Sequence, residues 1–183
     1  MAKIKICIDP GHGGKDPGAM NGNLRESLAT MQISRFLGDL LIADGNYEVK
    51  FTRTDDQQYP TLTERCNISN SWGAKAFISI HINSAASKSA SGIETLRYSK
   101  VGETTKKLAT NVQEELIKTL KWKDRGVKER DNLTVLKKTN ASAILVECGF
   151  ISHEEESKKL FDCTFQRKLA DAIFNGIKKT FGK

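Results

Sequence analysis

Short β-branched, apolar runs alternate with helical patterns along most of this 183-residue chain. A helix that joins two strands returns the chain to the same end of the sheet, so this alternation is typical of parallel strands. It predicts an α/β fold, with a twisted, mostly parallel sheet of about six strands and helices on both faces. The length suffices for one core but not for two typical domains, so we expect a single domain over residues 1–183.

Individual elements can be placed from composition and spacing. Strand-like runs lie at residues 3–9, 47–53, 76–82, 92–98, 133–136 and 143–147. Helical spacing of apolar residues predicts helices at 24–44, 62–72, 102–122 and from Phe165 through Ile177. In the first of these helices, Leu28 belongs to the predicted apolar face, and Asp44-Gly45 supplies a stop. Ser152-x-x-Glu155 has the form of a capping box, which predicts a helical first turn at His153.

The cysteines and the amino terminus limit where the protein can act. The four cysteines lack CxxC spacing, so we expect reduced thiols, with Cys7 and Cys148 buried in core strands. No segment approaches the roughly 18 apolar residues that span a bilayer. The charged start leads directly into a strand pattern, so we expect a protein made soluble, without a signal peptide and with no membrane partner.

Four segments carry histidine or glutamate at or beside the ends of predicted strands. They are Asp9-Pro-Gly-His12-Gly-Gly, Leu24-Arg-Glu26, Ser79-Ile-His81-Ile-Asn83 and Val146-Glu147-Cys-Gly149-Phe150. The carboxyl ends of parallel strands share one edge of a sheet, so residues far apart in sequence can meet there. We therefore expect two histidines and two glutamates to form one site.

Two of these residues also have an ordinary structural explanation. His12 could be a loop residue of a glycine-rich turn, although Asp9 at the strand end could accept the second ring N–H of a ligating imidazole. Glu26 fits a capping box with Asn23 at the start of the first long helix. Helix capping and metal ligation therefore both remain open for Glu26.

The other two residues are harder to explain by structure alone. His81 could be a core histidine, but Asn83 indicates that its strand has just reached the surface. Glu147 follows a strand that looks buried on both faces, where a carboxylate is costly unless it is paired or close to a metal. Two imidazoles and one carboxylate form the ligand set of a catalytic zinc, with the fourth position left for water and substrate. A second carboxylate, for which Glu147 is suited, must then move protons.

These segments together resemble the zinc-dependent N-acetylmuramoyl-L-alanine amidases of bacterial autolysins and phage endolysins. Further motifs of that family occur in the expected order: Pro17-Gly-Ala19, Thr52-Arg53, Leu62-Thr-Glu-Arg65, Arg125-Gly126-Val127 and Leu145-Val-Glu-Cys-Gly-Phe-Ile-Ser152. The resemblance implies one Zn²⁺ bound by His12, Glu26 and His81, with Glu147 as the catalytic acid and base. It also implies peptidoglycan as substrate, cut at the amide between the lactyl group of N-acetylmuramic acid and L-alanine.

Two other function classes remain as alternatives. An anion- or nucleotide-binding α/β domain could use the glycine-rich turn, but that turn has neither a GxGxxG nor a GxxxxGK[ST] pattern. A non-catalytic basic wall-binding module needs only the net charge of +7, and it leaves both histidines and both glutamates unexplained.

The resemblance to these amidases also leads to expectations about partners and location. We expect a monomer that contacts peptidoglycan and anionic wall polymers, with no nucleic-acid partner and no separate wall-binding domain. Action at the bacterial cell wall would then follow release by a phage or excision from a longer secreted chain.

Overall fold

A six-stranded sheet forms the centre of the computed structural model, which describes residues 2–182. Its strands are β1 (Ile4–Pro10), β4 (Tyr47–Phe51), β5 (Ala76–Asn83), β6 (Ile93–Arg97), β7 (Asp124–Glu129) and β8 (Ser142–Phe150). Their spatial order is β4-β1-β5-β8-β6-β7, and every neighbouring pair is parallel except β6 with β8. The strands β2 (Met20–Asn21) and β3 (Leu24–Arg25) form a separate small hairpin.

Helices cover both faces of this sheet. They are α1 (Glu26–Asp44), α2 (Leu62–Trp72), α3 (Glu103–Leu120), α4 (Thr134–Lys137), α5 (Glu154–Leu160) and α6 (Cys163–Phe181). The larger apolar cluster joins one face of the sheet to α1, α3 and α6, and a smaller one joins the other face to α2 and α4. Successive strand residues point to opposite faces, so Ile6 and Ile8 enter the larger cluster and Cys7 the smaller. The predicted α/β architecture is confirmed.

Several element ends follow the local signals in the sequence. The helix α1 ends at Gly45, whose left-handed φ of 82° lets its N–H bond back to Ile42. The helix α2 starts with a complete capping box between Thr61 and Glu64. Cys7 and Cys148 are fully buried, as predicted. No helix within residues 2–182 is long and apolar enough to cross a membrane.

Other predictions were wrong because tertiary packing overrode local pattern. Residues 133–136 do not form a strand; Thr134–Lys137 makes one helical turn that buries Val135 and Leu136. The sixth strand is instead Asp124–Glu129, whose polar, glycine-containing sequence carries no strand signal. Leu28, predicted to lie on the apolar face of α1, is 41% exposed and so does not lie in the core. The helix α5 is capped by His153 itself, whose ring accepts the Glu156 N–H, so the predicted capping box from Ser152 to Glu155 does not form.

Close packing between α3 and α6 depends on a glycine. A Cβ atom at Gly176 would lie 2.5 Å from Val112 Cα, which is backbone and cannot rotate away. We expect Gly176→Ala to lower the free energy of unfolding by about 1–3 kcal/mol, although alanine favours a helix over glycine by about 1 kcal/mol. Chemical denaturation measures the change, with the exposed Asn175→Ala as a control that should stay within about 0.5 kcal/mol. A Gly176→Ala protein as stable as wild type would contradict this packing argument.

Candidate active site

His12, Glu26 and His81 meet at the carboxyl edge of the central strands. His12 follows β1, His81 lies near the end of β5, and Glu26 is the first residue of α1. His12 Nε2 lies 3.2 Å from Glu26 Oε2, and His81 Nδ1 lies 3.1 Å from Glu26 Oε1. One ligand atom from each residue falls within 4.8 Å of the others. The predicted convergence of these residues is therefore observed.

The donor set and its spacing fit a tetrahedral metal. With metal–ligand distances near 2.0–2.1 Å, neighbouring ligand atoms of a zinc site lie roughly 3.3 Å apart. The separations of 3.2 Å from His12 to Oε2 and 3.1 Å from His81 to Oε1 are close to that value, although each nitrogen faces a different oxygen of Glu26. Three protein ligands would leave one position open, as catalytic zinc sites do. The three side chains could therefore hold one zinc ion.

Glu26 is held in place by backbone groups rather than used as a helix cap. Its two carboxylate oxygens accept the Ala19 and Ile82 N–H groups at 2.9 and 2.8 Å. The N-cap of α1 is Arg25 and has no side-chain cap bond, so the capping box with Asn23 is absent. Burial alone would raise the pKa of Glu26, but hydrogen bonds to His12 and His81 hold it well below its usual range. The carboxylate therefore stays ionised between the two imidazoles.

Asp16, and not Asp9, orients the His12 ring. His12 Nδ1 lies 2.8 Å from Asp16 Oδ2, which directs Nε2 toward Glu26. A carboxylate on the second ring nitrogen commonly fixes the orientation of a ligating histidine. Burial opposes protonation of His12, but hydrogen bonds to Glu26 and Asp16 outweigh it and raise the pKa of His12 to about 9. Spacing along the chain could not rank the two aspartates, because the turn at residues 13–16 brings Asp16 back to the ring.

The Asp9 carboxylate instead receives three buried donors. Thr52 Oγ1, Ser79 Oγ and Arg65 Nη1 donate to it at 2.5, 2.7 and 2.7 Å. Asp9 lies near the end of β1, as predicted, but the groups that bind its carboxylate come from segments distant in sequence. The predicted bond from Asp9 to an imidazole is therefore wrong.

Two buried arginines bind the backbone that carries His12. Arg53 donates to the carbonyls of Pro10 and Gly11, and Arg65 donates to those of Pro10 and His12. His12 has a left-handed φ of 62°, which is uncommon for a residue other than glycine and needs such support. The Thr52-Arg53 and Leu62–Arg65 motifs marked these residues, but the sequence did not reveal their task.

The site also needs two glycines for space. A Cβ atom at Gly11 would lie 2.5 Å from the His81 ring, and one at Gly18 would lie 2.7 Å from Glu26 Oε2. Real Cβ contacts essentially never fall below 3.0 Å. Larger residues at either position would displace a predicted ligand.

Glu147 lies beside this trio on the neighbouring strand. It pairs in register with His81 across β5 and β8, and its Oε2 atom is buried with no protein partner among residues 2–182. Burial raises the pKa of Glu147 to about 7, with His81 opposing and Glu26 and Glu94 adding to the shift. A carboxyl group with a pKa near neutrality can both accept and donate a proton.

An open cleft of about 180 Å³ runs past His12 and His81. Its far wall is largely apolar and includes Tyr59, Leu62 and Val135. The exposed faces of Tyr59 and Leu62 border solvent, so a substrate of some length can enter without rearrangement of the core.

Sequence similarity to known proteins extends over nearly the whole chain. A family model described as N-acetylmuramoyl-L-alanine amidase matches residues 6–179. The N-acetylmuramoyl-L-alanine amidase CwlM of Bacillus licheniformis is 37% identical over 179 residues, covering 97% of this chain and 69% of the relative. The sporulation-specific N-acetylmuramoyl-L-alanine amidase of Bacillus subtilis (strain 168) is 38% identical over 181 residues, covering 97% and 68%.

Solved structures agree with the sequence relatives. An N-acetylmuramoyl-L-alanine amidase from Clostridium difficile 630 has a TM-score of 0.94 and 35% identity, covering 98% of this chain and 97% of that one. The catalytic domain of CwlV, an amidase from Bacillus (Paenibacillus) polymyxa var. colistinus, has a TM-score of 0.90 and 30% identity, covering 96% and 97%. The family, the fold and the enzyme class predicted from sequence are confirmed, and the chain belongs to the N-acetylmuramoyl-L-alanine amidase family of peptidoglycan hydrolases.

Proposed function

We propose that this protein uses one zinc ion to hydrolyse the amide between the lactyl group of N-acetylmuramic acid and L-alanine of the stem peptide. The observation that carries this proposal is the meeting of His12, Glu26 and His81 beside Glu147, whose buried Oε2 atom has no partner within residues 2–182. All four residues lie inside the segment matched by the family model. We therefore also propose that this chain forms one catalytic domain.

Three side chains would hold the metal. His12 through Nε2, His81 through Nδ1 and one oxygen of Glu26 are the atoms that face one another. Asp16 would keep the His12 ring turned toward the ion. Bound there, zinc supplies a Lewis acid that polarises the scissile carbonyl and lowers the pKa of water.

Glu147 would perform the proton transfers. As a carboxylate it accepts a proton from the attacking water, and as a carboxylic acid it donates that proton to the departing amine of L-alanine. An amine leaves poorly without this proton. The pKa of about 7 suits both directions of transfer near neutral pH.

We propose the bacterial cell wall as the place of action. Peptidoglycan is the substrate, and the net charge of +7 favours contact with anionic wall polymers through long-range attraction. We further propose that the protein acts as a monomer, independently of membranes and nucleic acids.

The products of digestion test the reaction. Treatment of purified peptidoglycan should release new N-terminal alanine without new reducing sugar ends, because only the amide is cut. Amino-terminal labelling and a reducing-end assay measure the two. New reducing ends would identify a glycosidase and contradict the proposal.

Substitutions at the site separate metal binding from proton transfer. His81→Ala should lose most of its zinc and its activity, because two protein ligands remain. Glu147→Gln should retain zinc and lose activity by about 10²–10⁴-fold, because an amide cannot carry the proton. Metal analysis and the alanine-release assay measure both, with the exposed Glu48→Gln as a control for loss of a carboxylate. Full zinc in His81→Ala, or full activity in Glu147→Gln, would refute the assigned roles.

Zinc affinity should depend on pH with a predictable sign. In the metal-free protein the pKa of His12 is about 9, above its ordinary 6.5, and ligation requires the neutral ring. Zinc must therefore displace a proton, and its affinity should rise roughly tenfold per unit from about pH 7 to 9 and then flatten. The same shift stabilises the metal-free fold fully below pH 6.5, and this contribution disappears as pH rises through about 9.

Competition with a chromophoric chelator measures this affinity. His153→Asn, which changes the remaining histidine but keeps a side chain that can cap α5, should show the same slope. An affinity that does not vary from pH 7 to 9 would mean that His12 is not protonated before zinc binds.

A further inference from the structure

A row of charged side chains continues from the site across the sheet. His81 on β5 lies opposite Glu147 on β8, and Glu147 lies opposite Glu94 on β6. Directly opposed residues of antiparallel strands point to the same face, so Glu94 and Glu147 share a side of the sheet. Beyond them on β7 are Arg125 and Lys128, which both bind Glu94. The row therefore ends in two cations on the side of Glu147 away from His12 and Glu26.

Glu94 has more positive charge around it than its own carboxylate requires. Arg125 Nε and Lys128 Nζ both donate to Glu94 Oε2, at 2.7 and 2.5 Å, although one cation would neutralise it. Glu94 is 4% exposed, whereas the side chains of Arg125 and Lys128 are 27% and 32% exposed. Within residues 2–182, Arg125 Nη2 donates to no protein acceptor and Lys128 Nζ donates to Glu94 alone. Donor groups therefore remain available to a ligand.

A β-bulge brings the two cations together. Residues three apart on a regular strand point to opposite faces. Here the register passes from Ile93↔Asp124 to Thr95↔Val127, so β7 contains one extra residue. Gly126 has a φ of 75°, and its N–H bonds to Asp124 Oδ1. The bulge directs Arg125 and Lys128 to the same carboxylate, and the Arg125 guanidinium is fixed 4.9 Å above the Phe150 ring.

The cations do not serve to neutralise Glu147. Neither of them bonds to Glu147, whose Oε2 atom has no partner in the described chain. The positive charge that Glu94 does not neutralise therefore remains available to a ligand.

The position of the departing amine indicates which part of the substrate lies near Arg125 and Lys128. Glu147 protonates the departing amine, and this amine belongs to the stem peptide. A stem peptide that continues from this amine away from His12 and Glu26 passes over β8 and β6. The strand β7 lies two spacings of about 4.8 Å from β8, but Arg125 and Lys128 extend back to Glu94 on β6, one spacing from Glu147. Two extended residues span roughly 7 Å. The cations are therefore within reach of the second residue of the stem.

We propose that Arg125 and Lys128 bind the free α-carboxylate of the stem-peptide residue that follows L-alanine. This inference rests on the proposed function. An acidic second residue joined through its side-chain carboxyl leaves that α-carboxylate exposed, and an amide at the same place lacks the charge. Lys128 and Arg125 thus determine a preference between stems with a free and an amidated second residue, because charge-assisted hydrogen bonds are stronger than neutral ones.

A pair of substrates that differ at one group tests the inference. We would measure kcat and KM on two soluble disaccharide peptides, identical except that the second residue is D-isoglutamate or D-isoglutamine. Lys128→Ala should lower kcat/KM about tenfold or more on the D-isoglutamate substrate, mainly through KM, and about twofold or less on the other. Arg125 still pairs with Glu94 in this variant, so the fold should persist.

Two further variants complete the test. Lys128→Arg should restore the preference for the D-isoglutamate substrate. As a control, Lys168→Ala removes an equal charge from the exposed face of α6 and should leave kcat/KM on both substrates unchanged. Equal losses on the two substrates, or no loss on either, would overturn the inference. Wild-type protein that releases no N-terminal alanine from whole peptidoglycan would overturn the proposed function itself, which distinguishes the two failures.

Discussion

The buried ion pair between Asp9 and Arg65 is the interaction on which the site depends. Removing two charges from water is costly unless the remaining hydrogen-bonding groups are satisfied. Here Thr52 and Ser79 also donate to Asp9, and the other donors of Arg65 reach the Pro10 and His12 carbonyls. With Arg53 on the same backbone, the turn after β1 is held where His12 must lie. Loss of Arg65 would therefore leave the Asp9 charge buried without its ion-pair partner and would remove the hydrogen bond to the His12 carbonyl.

Two glutamates in one site have opposite environments. Glu26 receives two backbone N–H groups and two imidazoles, so the ionised form is favoured. Glu147 receives no hydrogen bond at its buried Oε2 atom from the described part of the chain, so the protonated form becomes accessible near neutral pH. Such separation of pKa values is how enzymes assign different tasks to the same residue type. It supports a ligand role for Glu26 and a proton-transfer role for Glu147.

The sheet also gives the site a direction. The three predicted ligands lie at β1, β5 and the start of α1, Glu147 lies on β8, and the cationic pair lies on β7. A substrate that spans these strands would meet the proposed metal ligands, the proposed proton donor and the cations in turn. Because β6 runs antiparallel to β8, Glu94 near the start of β6 lies opposite Glu147 near the end of β8.

The amino-acid sequence by itself determined the fold class, most helix ends and the four residues that meet at one edge, because strand and helix periodicities and turn residues act locally. It misjudged Thr134–Lys137 and Asp124–Glu129, where burial against α2 and pairing with β6 outweighed composition. Only the tertiary structure decided that Asp16 binds His12, that Asp9 binds Arg65, and that Arg125 and Lys128 converge on Glu94. These partners lie on separate elements or across a bulge, and a hydrogen bond is set by three-dimensional distance and angle, which spacing along the chain does not encode.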